Sequence, residues 1–292
     1  PRKILYLVKK GLAELKETYG DQRRTQIVLG DAELDEEDLI AEEDVLVTIT
    51  HRGYIKRVSL DTYRAQRRGG RGVIGMTTRE EDDIMRAFSA GTLDSVLFFS
   101  NLGKVYQEKV YQIPDSGRTA KGELLAGIIP LDAGERITAV MPVSDFEQSG
   151  SLAMFTQQGR VKRVALSEFS SVRNSGLIAI RLEEGDQLGW VDLAMDDDDL
   201  IVVTQQGQAL RFRADTVRVM GRMAMGVYAI RLAADDRVCS AGVIDCQDTD
   251  LLVITAQGYG KRTPLDRFRV KGRYGMGVRC LGGNRSRSGV VA

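Results

Sequence analysis

The sequence predicts an all-β fold of propeller-like blades, and three observations carry that expectation. Between His51 and Cys280 the chain repeats itself five times, framed by Gly53, Gly103, Gly159, Gly207 and Gly258 at a spacing of about fifty residues. Three residues before each glycine stands a hydroxyl, Thr50, Ser100, Thr156, Thr204 or Thr255, preceded by a short apolar run such as Val96-Leu97-Phe98-Phe99. Downstream of each glycine stands an arginine in register: Arg68, Arg118, Arg222 and Arg273 at fifteen residues, and Arg173 at fourteen. A period near fifty built of short strands means a radial β architecture, because solenoid repeats are usually shorter. One such unit cannot bury both of its faces, so neighbours must pack side by side.

The elements follow in order. Residues 2–19 place Ile4, Leu7, Val8, Leu12, Leu15 and Tyr19 at helical spacing, and Pro1 is tolerated in a first turn. This reads as the end of a longer helix or coiled coil, since its apolar stripe needs a partner. Gly20-Asp21 ends it, and residues 21–44 form an acidic linker whose stretch 31–44 holds nine acids and no base. From Val45 the hydrophobic period changes to 2, so residues 45–292 are expected to form the blades. Each repeat reads as strand, tight turn, strand, loop, strand, with glycine where the hairpin needs positive φ. In the first repeat Val73-Ile74 restarts a strand after the loop. Residues 289–292 read as the opening strand of a sixth unit.

Composition narrows the function classes. Basic and acidic residues balance, 41 against 41, so net charge selects no partner, but their distribution does. Acids concentrate in 31–44, Glu80–Asp83 and Asp196–Asp199, while the repeat loops carry arginines. One histidine and three cysteines without CxxC spacing disfavour a zinc site or a histidine-dependent triad. The cysteine usage suits a reducing compartment. No run of 18 apolar residues occurs and the N-terminus lacks signal-peptide patterning, so the expected location is cytoplasmic, with no membrane partner. Asp196–Asp199 lacks the alternating ligand spacing of a calcium loop and reads as a solvated turn. Trp190 reads as a packing residue.

The candidate binding residues lie in the loops. Arg64, Gln66, Arg67, Arg68, Gly69, Gly70, Arg71 and Gly72 form the densest basic segment. Bare glycines expose N–H groups there, and guanidiniums offer bidentate donors matched to phosphate oxygens. Read alone, this is equally a charged surface hairpin, but the same arginine-to-glycine spacing recurs in the other repeats. Weaker versions hold Arg118 and Lys121, Arg173, Arg218 and Arg222, then Lys271 and Arg273, with Arg267 and Arg269 nearby. Strand cations Lys56, Arg57, Lys162, Arg163, Arg211, Arg213, Lys261 and Arg262 either widen this basic track or are ordinary solvent-facing charges. Gly70-x-Gly72-x-x-Gly75 matches a dinucleotide fingerprint by letter, but an arginine cluster rather than a hydrophobic strand precedes it. No paired carboxylates, nucleophile–base pair or metal cluster stands out, so the sequence argues for a binder and a catalytic site is expected to be absent.

The segment Gln66–Gly72, QRRGGRG, resembles the glutamine–arginine–arginine–glycine–glycine box of the C-terminal domain of DNA gyrase A. Residues 1–24 are similar to the close of that family's coiled coil, and Gln257–Thr263 is similar to its blade sequences. The resemblance covers nearly the whole chain. It implies a six-bladed β-pinwheel whose blades exchange strands, with five blades evident here, the sixth truncated, and a short N-terminal helix. It further implies that duplex DNA bends and wraps with a fixed hand around a basic edge, which enables ATP-dependent negative supercoiling. Partners implied are the N-terminal cleavage domain in the same polypeptide and the gyrase B subunit in an A2B2 complex. No cofactor is implied in this chain, since ATP and Mg act elsewhere in the holoenzyme, and no tyrosine here is the cleaving nucleophile. Two alternatives stand beside this reading. One is a scaffold that binds an acidic protein partner, and the other is the corresponding domain of topoisomerase IV, which usually lacks an intact box. Arg71 stands where lysine is common in the box, and no acidic C-terminal tail is present.

Overall fold

The computed structural model describes residues 2–20, 36–63, 75–76, 82–245, 250–281 and 289–290. Two compact units divide the chain, Pro1–Leu39 and Ile40–Ala292. The first contains an α-helix, Arg2–Tyr19, none of whose residues is buried, so Ile4, Leu7, Val8, Leu12, Leu15 and Tyr19 all face outward. Its length and apolar spacing match the sequence reading.

In the second unit, described strands form four four-stranded antiparallel sheets and one two-stranded sheet. The first pairs Ile84–Gly91, Asp44–Thr50, Tyr54–Ser59 and Glu123–Leu124 in that spatial order. The last of these belongs to the next repeat: it follows the hairpin Ser95–Ser100/Lys104–Lys109 and then crosses back, pairing Leu124 with Tyr54. Leu177–Ile178, Val227–Tyr228 and Val278–Arg279 do the same for the following sheets. Every four-stranded sheet is thus completed by its successor. The sequence did not separate this two-residue strand from the longer one after it, because two residues carry no periodicity.

The hairpin chemistry explains the repeated Thr/Ser and glycine. In all five turns the glycine N–H donates to the carbonyl of the hydroxyl residue, from 2.8 Å at Thr255 to 3.1 Å at Thr156. The hydroxyl oxygen then accepts the N–H four residues on, as Thr50 Oγ1 does from Tyr54 and Thr156 Oγ1 from Arg160, each at 3.1 Å. Each turn glycine has φ between 76° and 81°, where a side chain is strained. Its carbonyl also receives the incoming strand: Leu125, Ala179, Ala229 and Cys280 donate to Gly53, Gly103, Gly159 and Gly207, each at 2.8 Å.

Four apolar cores lie between successive sheets. Val96 and Phe98 face the first sheet, while Leu97 and Phe99 face the third, so an uninterrupted apolar run is buried on both sides. Ala153 and Phe155 meet Leu200 and Val202 in the next core, and Ile201 and Val203 meet Val253 in the last. In the fifth sheet, Asp250–Ile254 with Gly260–Pro264, Leu252 and Ile254 point away from the fourth and are exposed. The strands Ile137–Val143, Leu188–Ala194 and Val238–Ile244 lie against one another, which makes them the inner strands of their sheets. The exchanged strands occupy the opposite, outer edge.

Gly289-Val290 is one correction. Rather than opening a sixth unit, Val290 bridges Thr255 antiparallel. Ile84, Ile137, Leu188 and Val238 hold the same position against Thr50, Ser100, Thr156 and Thr204. It therefore belongs to the inner edge of the fifth sheet.

Candidate nucleic-acid interface

The basic loops take their position from the strand exchange. Each described loop runs along the second hairpin strand of the preceding sheet before its glycine delivers the outer strand. Ser116, Met220 and Lys271 donate to the carbonyls of Arg57, Arg163 and Arg211 at 3.2, 2.9 and 2.9 Å. The delivering glycines, Gly122, Gly176, Gly226 and Gly277, all have φ near +75° to +80°. A Cβ at Gly122 or Gly226 would come within 2.4 Å of the carbonyl oxygen of Ile55 or Val161. Only glycine fits this crossing, which is why glycine keeps its spacing from the arginine.

Arg118, Arg173, Arg222 and Arg273 consequently recur on the outer edge of four successive sheets. Arg173, Arg218 and Lys271 are exposed, and Arg118, Lys121, Arg222 and Arg273 are half-buried. Lys121 Nζ sits 3.8 Å from the centre of the Tyr54 ring. Arg222 Nε lies 3.4 Å from Glu168 Oε2. The Arg273 guanidinium donates to the carbonyls of Thr216 and Tyr228, at 3.1 and 3.0 Å. Beside it, Arg160, Tyr228, Tyr274 and Arg273 line an open cleft of about 650 Å³. Arg64, Gln66, Arg67, Arg68, Gly69, Gly70, Arg71 and Gly72 lie outside the described residues, as do Val73 and Ile74.

The strand cations divide, and for three of them the structure overturns a surface role. Lys56, Lys162 and Arg163 are buried. Lys56 Nζ donates to the carbonyls of Gly117, Arg118 and Ala120 at 3.2, 2.5 and 2.8 Å. Lys162 Nζ donates to Ala179 and Arg222 at 2.8 and 2.5 Å. Arg163 donates to Ser151 Oγ and to the carbonyls of Ala214 and Val217, at 2.7, 2.9 and 3.3 Å, and pairs with Asp196. Arg57 and Arg211 are half-buried and reach the next repeat in the same way, donating to Ile113 and Leu265 at 2.7 and 3.0 Å. These groups clip one sheet to the next, because a cation inside a protein needs acceptors at every donor. Arg213 is half-buried, whereas Lys261 and Arg262 remain exposed.

Burial depresses the basicity of both lysines. For Lys162, loss of solvent and then the nearby Arg222 push the pKa down to about 8, against a smaller opposing pull from Glu168. Lys56 is lowered by burial and by Arg118.

Sequence reasoning also missed a set of buried acids. Asp82 Oδ1 accepts the N–H of Arg52 at 3.1 Å, Asp186 Oδ1 that of Gln158 at 2.9 Å, and Asp236 Oδ1 that of Gln206 at 3.0 Å. Each reaches the tip of its hairpin turn from just before the inner strand. An acid 27 to 29 residues after the turn glycine was the available signal. The Asp196–Asp199 turn is likewise more than solvated charge, since Asp196 pairs with Arg163 and Asp199 with Arg211. Trp190 packs partly buried against the core between the third and fourth sheets. Among the described residues, no group of three or more His, Cys, Asp or Glu could hold a metal ion, and no helix is long and apolar enough to cross a membrane.

Comparison with known proteins agrees with this arrangement. The family described as DNA gyrase C-terminal domain, beta-propeller, matches residues 44–90, 94–144, 150–191, 198–245 and 249–284, one segment per repeat. The DNA gyrase A protein of Salmonella typhimurium LT2 is 42% identical over 276 residues, covering 94% of this chain and 31% of that protein. Its counterpart in Mycolicibacterium smegmatis is 42% identical over 293 residues, covering 100% of this chain and 35% of that protein. The chain thus spans about a third of the length of these relatives. A crystal structure of the C-terminal domain of DNA topoisomerase IV superposes with a TM-score of 0.73 at 31% identity, covering 86% of this chain and 76% of that one. A DNA gyrase A C-terminal domain superposes at 0.66 with 25% identity, covering 85% and 81%.

Proposed function

This chain belongs to the DNA gyrase C-terminal domain family, and from that premise we propose that its outer edge binds, bends and chirally wraps duplex DNA. The observation that carries the reading is the recurrence of one arginine at one point of four successive sheets. Phosphates lie on a regular path along a duplex, so a periodic series of guanidiniums meets them repeatedly, whereas scattered surface charge would not. Bending a short site by 40–90° costs about 1–6 kcal/mol, and winding around several blades multiplies that cost. Many small contacts are therefore needed, and the loops supply them. Sequence preference is weak and follows deformability, since phosphate contacts carry no base information.

Within a complete enzyme the wrapped segment is presented for strand passage, which gives supercoiling its direction. DNA cleavage and ATP hydrolysis with Mg belong to other parts of that assembly, the N-terminal cleavage domain and the gyrase B subunit of an A2B2 complex. The helix 1–20 and the acidic linker 21–44 connect the blades, 45–292, to that cleavage domain. The location is cytoplasmic, at the nucleoid. The topoisomerase IV alternative draws on the superposition at 0.73, but the box Gln66–Gly72 favours the gyrase reading.

Duplex binding by this chain as a function of salt tests the proposal. If about six to ten phosphates are neutralised, affinity falls on the order of 10³–10⁵-fold between 50 and 200 mM salt. A shallow slope would favour an acidic protein partner instead.

A further inference from the structure

We propose that Lys56 and Lys162 are positioning residues of the DNA-binding edge, each buried in one sheet and holding the arginine loop of the next by its main-chain carbonyls. The proposal rests on the DNA-binding reading above and adds a mechanism by which two loops reach a fixed conformation.

The geometry is specific. An ammonium has three N–H donors, and Lys56 satisfies them with the carbonyls of Gly117, Arg118 and Ala120. The loop is folded around the cation. Lys162 binds the carbonyl of Arg222 and, on its other side, that of Ala179. Neither ammonium has a carboxylate within ion-pair distance among the described residues, so no ion pair neutralises the charge beneath either basic loop. The charged groups facing Lys162 are Arg222 from the loop and Glu168 from the turn Leu166–Phe169, and Arg118 faces Lys56. A buried charge facing another cation is costly, and the carbonyl acceptors around each ammonium offset part of that cost. Here the ammonium fixes the backbone from which the arginine projects.

The other two loops are held differently. Tyr106 and Leu210 occupy the lysine's place, third after the turn glycine, in the second and fourth repeats. Gly176 rests on the Tyr106 ring, where a Cβ would come within 2.7 Å of the ring edge. In the fourth seam Arg273 anchors itself through Thr216 and Tyr228. Two of the four described loops are therefore cation-centred, and only those two depend on a lysine proton.

The test uses this chain with a mixed-sequence linear duplex. In Lys162→Met the affinity is expected to fall roughly fivefold to tenfold and the salt slope to drop by about one. Combining it with Arg222→Ala should be no worse than Arg222→Ala alone, because both remove the same phosphate contact. Independent, additive losses with an unchanged salt slope would overturn the proposal and leave Lys162 a packing residue. A measurement on the unmutated chain guards against misfolding of the variant. Affinity at constant salt should fall as pH rises from 7 to 9.5, while amide exchange at 220–226, corrected for intrinsic base catalysis, should accelerate over the same range. A flat exchange profile would overturn the positioning role. If the unmutated chain fails to bind duplex, the functional reading fails, and the exchange profile still decides whether the lysine orders the loop.

Discussion

The α-carbon of Gly226 lies against the main-chain carbonyl of Val161, so closely that a Cβ there would approach the oxygen to 2.4 Å. The contact spans 65 residues of sequence and joins a basic loop to the sheet before it. Because φ is +80° as well, Gly226→Ala meets both a backbone penalty of about 1–2 kcal/mol and a clash with immobile main chain. Its destabilisation should exceed that of Gly53→Ala, where φ is +81° but an added Cβ would meet no atom within 4 Å beyond its chain neighbours, and which should cost the backbone penalty of about 1–2 kcal/mol alone. Chemical denaturation of the two variants checks the order, and equal losses would contradict the close approach.

Arg163 supports a second prediction. Replacing it by methionine removes the guanidinium donor from Ser151 Oγ and the Val217 carbonyl and one of two donors from the Ala214 carbonyl, which keeps the Val217 N–H, so stability should fall by about 1–3 kcal/mol. Its carboxylate partner Asp196 is 83% exposed, so Asp196→Asn should change stability by less than about 1 kcal/mol. Urea titrations of both variants separate a clip made of carbonyls from one made of an ion pair.

The buried lysines give a pH dependence whose sign follows from linkage. The Lys162 pKa in the folded chain, about 8, lies below the ordinary lysine value of 10.5. Between those values the unfolded chain binds more protons than the folded one, so this group's burial penalty is relieved as pH rises from 8 towards 10.5. Fold stability should gain from this group over that interval, while duplex affinity falls. Opposite trends are the signature, because simple alkaline unfolding would lower both. Denaturation curves and binding isotherms in matched buffers read the two directions.

Thiol chemistry supplies a fourth check. Burial is the main cause that pushes Cys239 up to about 11 and Cys280 up to about 12. The thiolate is the reactive form, so both cysteines should resist alkylation at pH 8 in the folded chain and react readily once it is unfolded. Peptide mapping after timed iodoacetamide treatment of the folded and the unfolded chain reads the two sites separately.

How much of this could be read from the sequence depended on the range of each interaction. The turn glycines and their hydroxyls were legible because Thr50, Gly53 and Tyr54 settle their hydrogen bonds within one hairpin. The buried runs were legible because Val96–Phe99 is apolar at every position. The arginine-to-glycine spacing was visible too, but its cause was not, since the partner of Gly226 is Val161 in an earlier repeat. For the same reason Lys56 and Lys162 looked like surface charges: on a strand a lysine reads as solvent-facing unless the loop that covers it is known. Asp82, Asp186 and Asp236 were hidden by the acidic stretches around them, although their register with the turn glycines was in the sequence.

The most direct test of the account is to seal a nicked circular plasmid in the presence of increasing amounts of this chain and count topoisomers after the protein is removed. Chiral wrapping around the arginine-bearing edge predicts a linking-number shift of one sign that grows with protein until the plasmid is saturated. Duplex binding with no shift in linking number would contradict it.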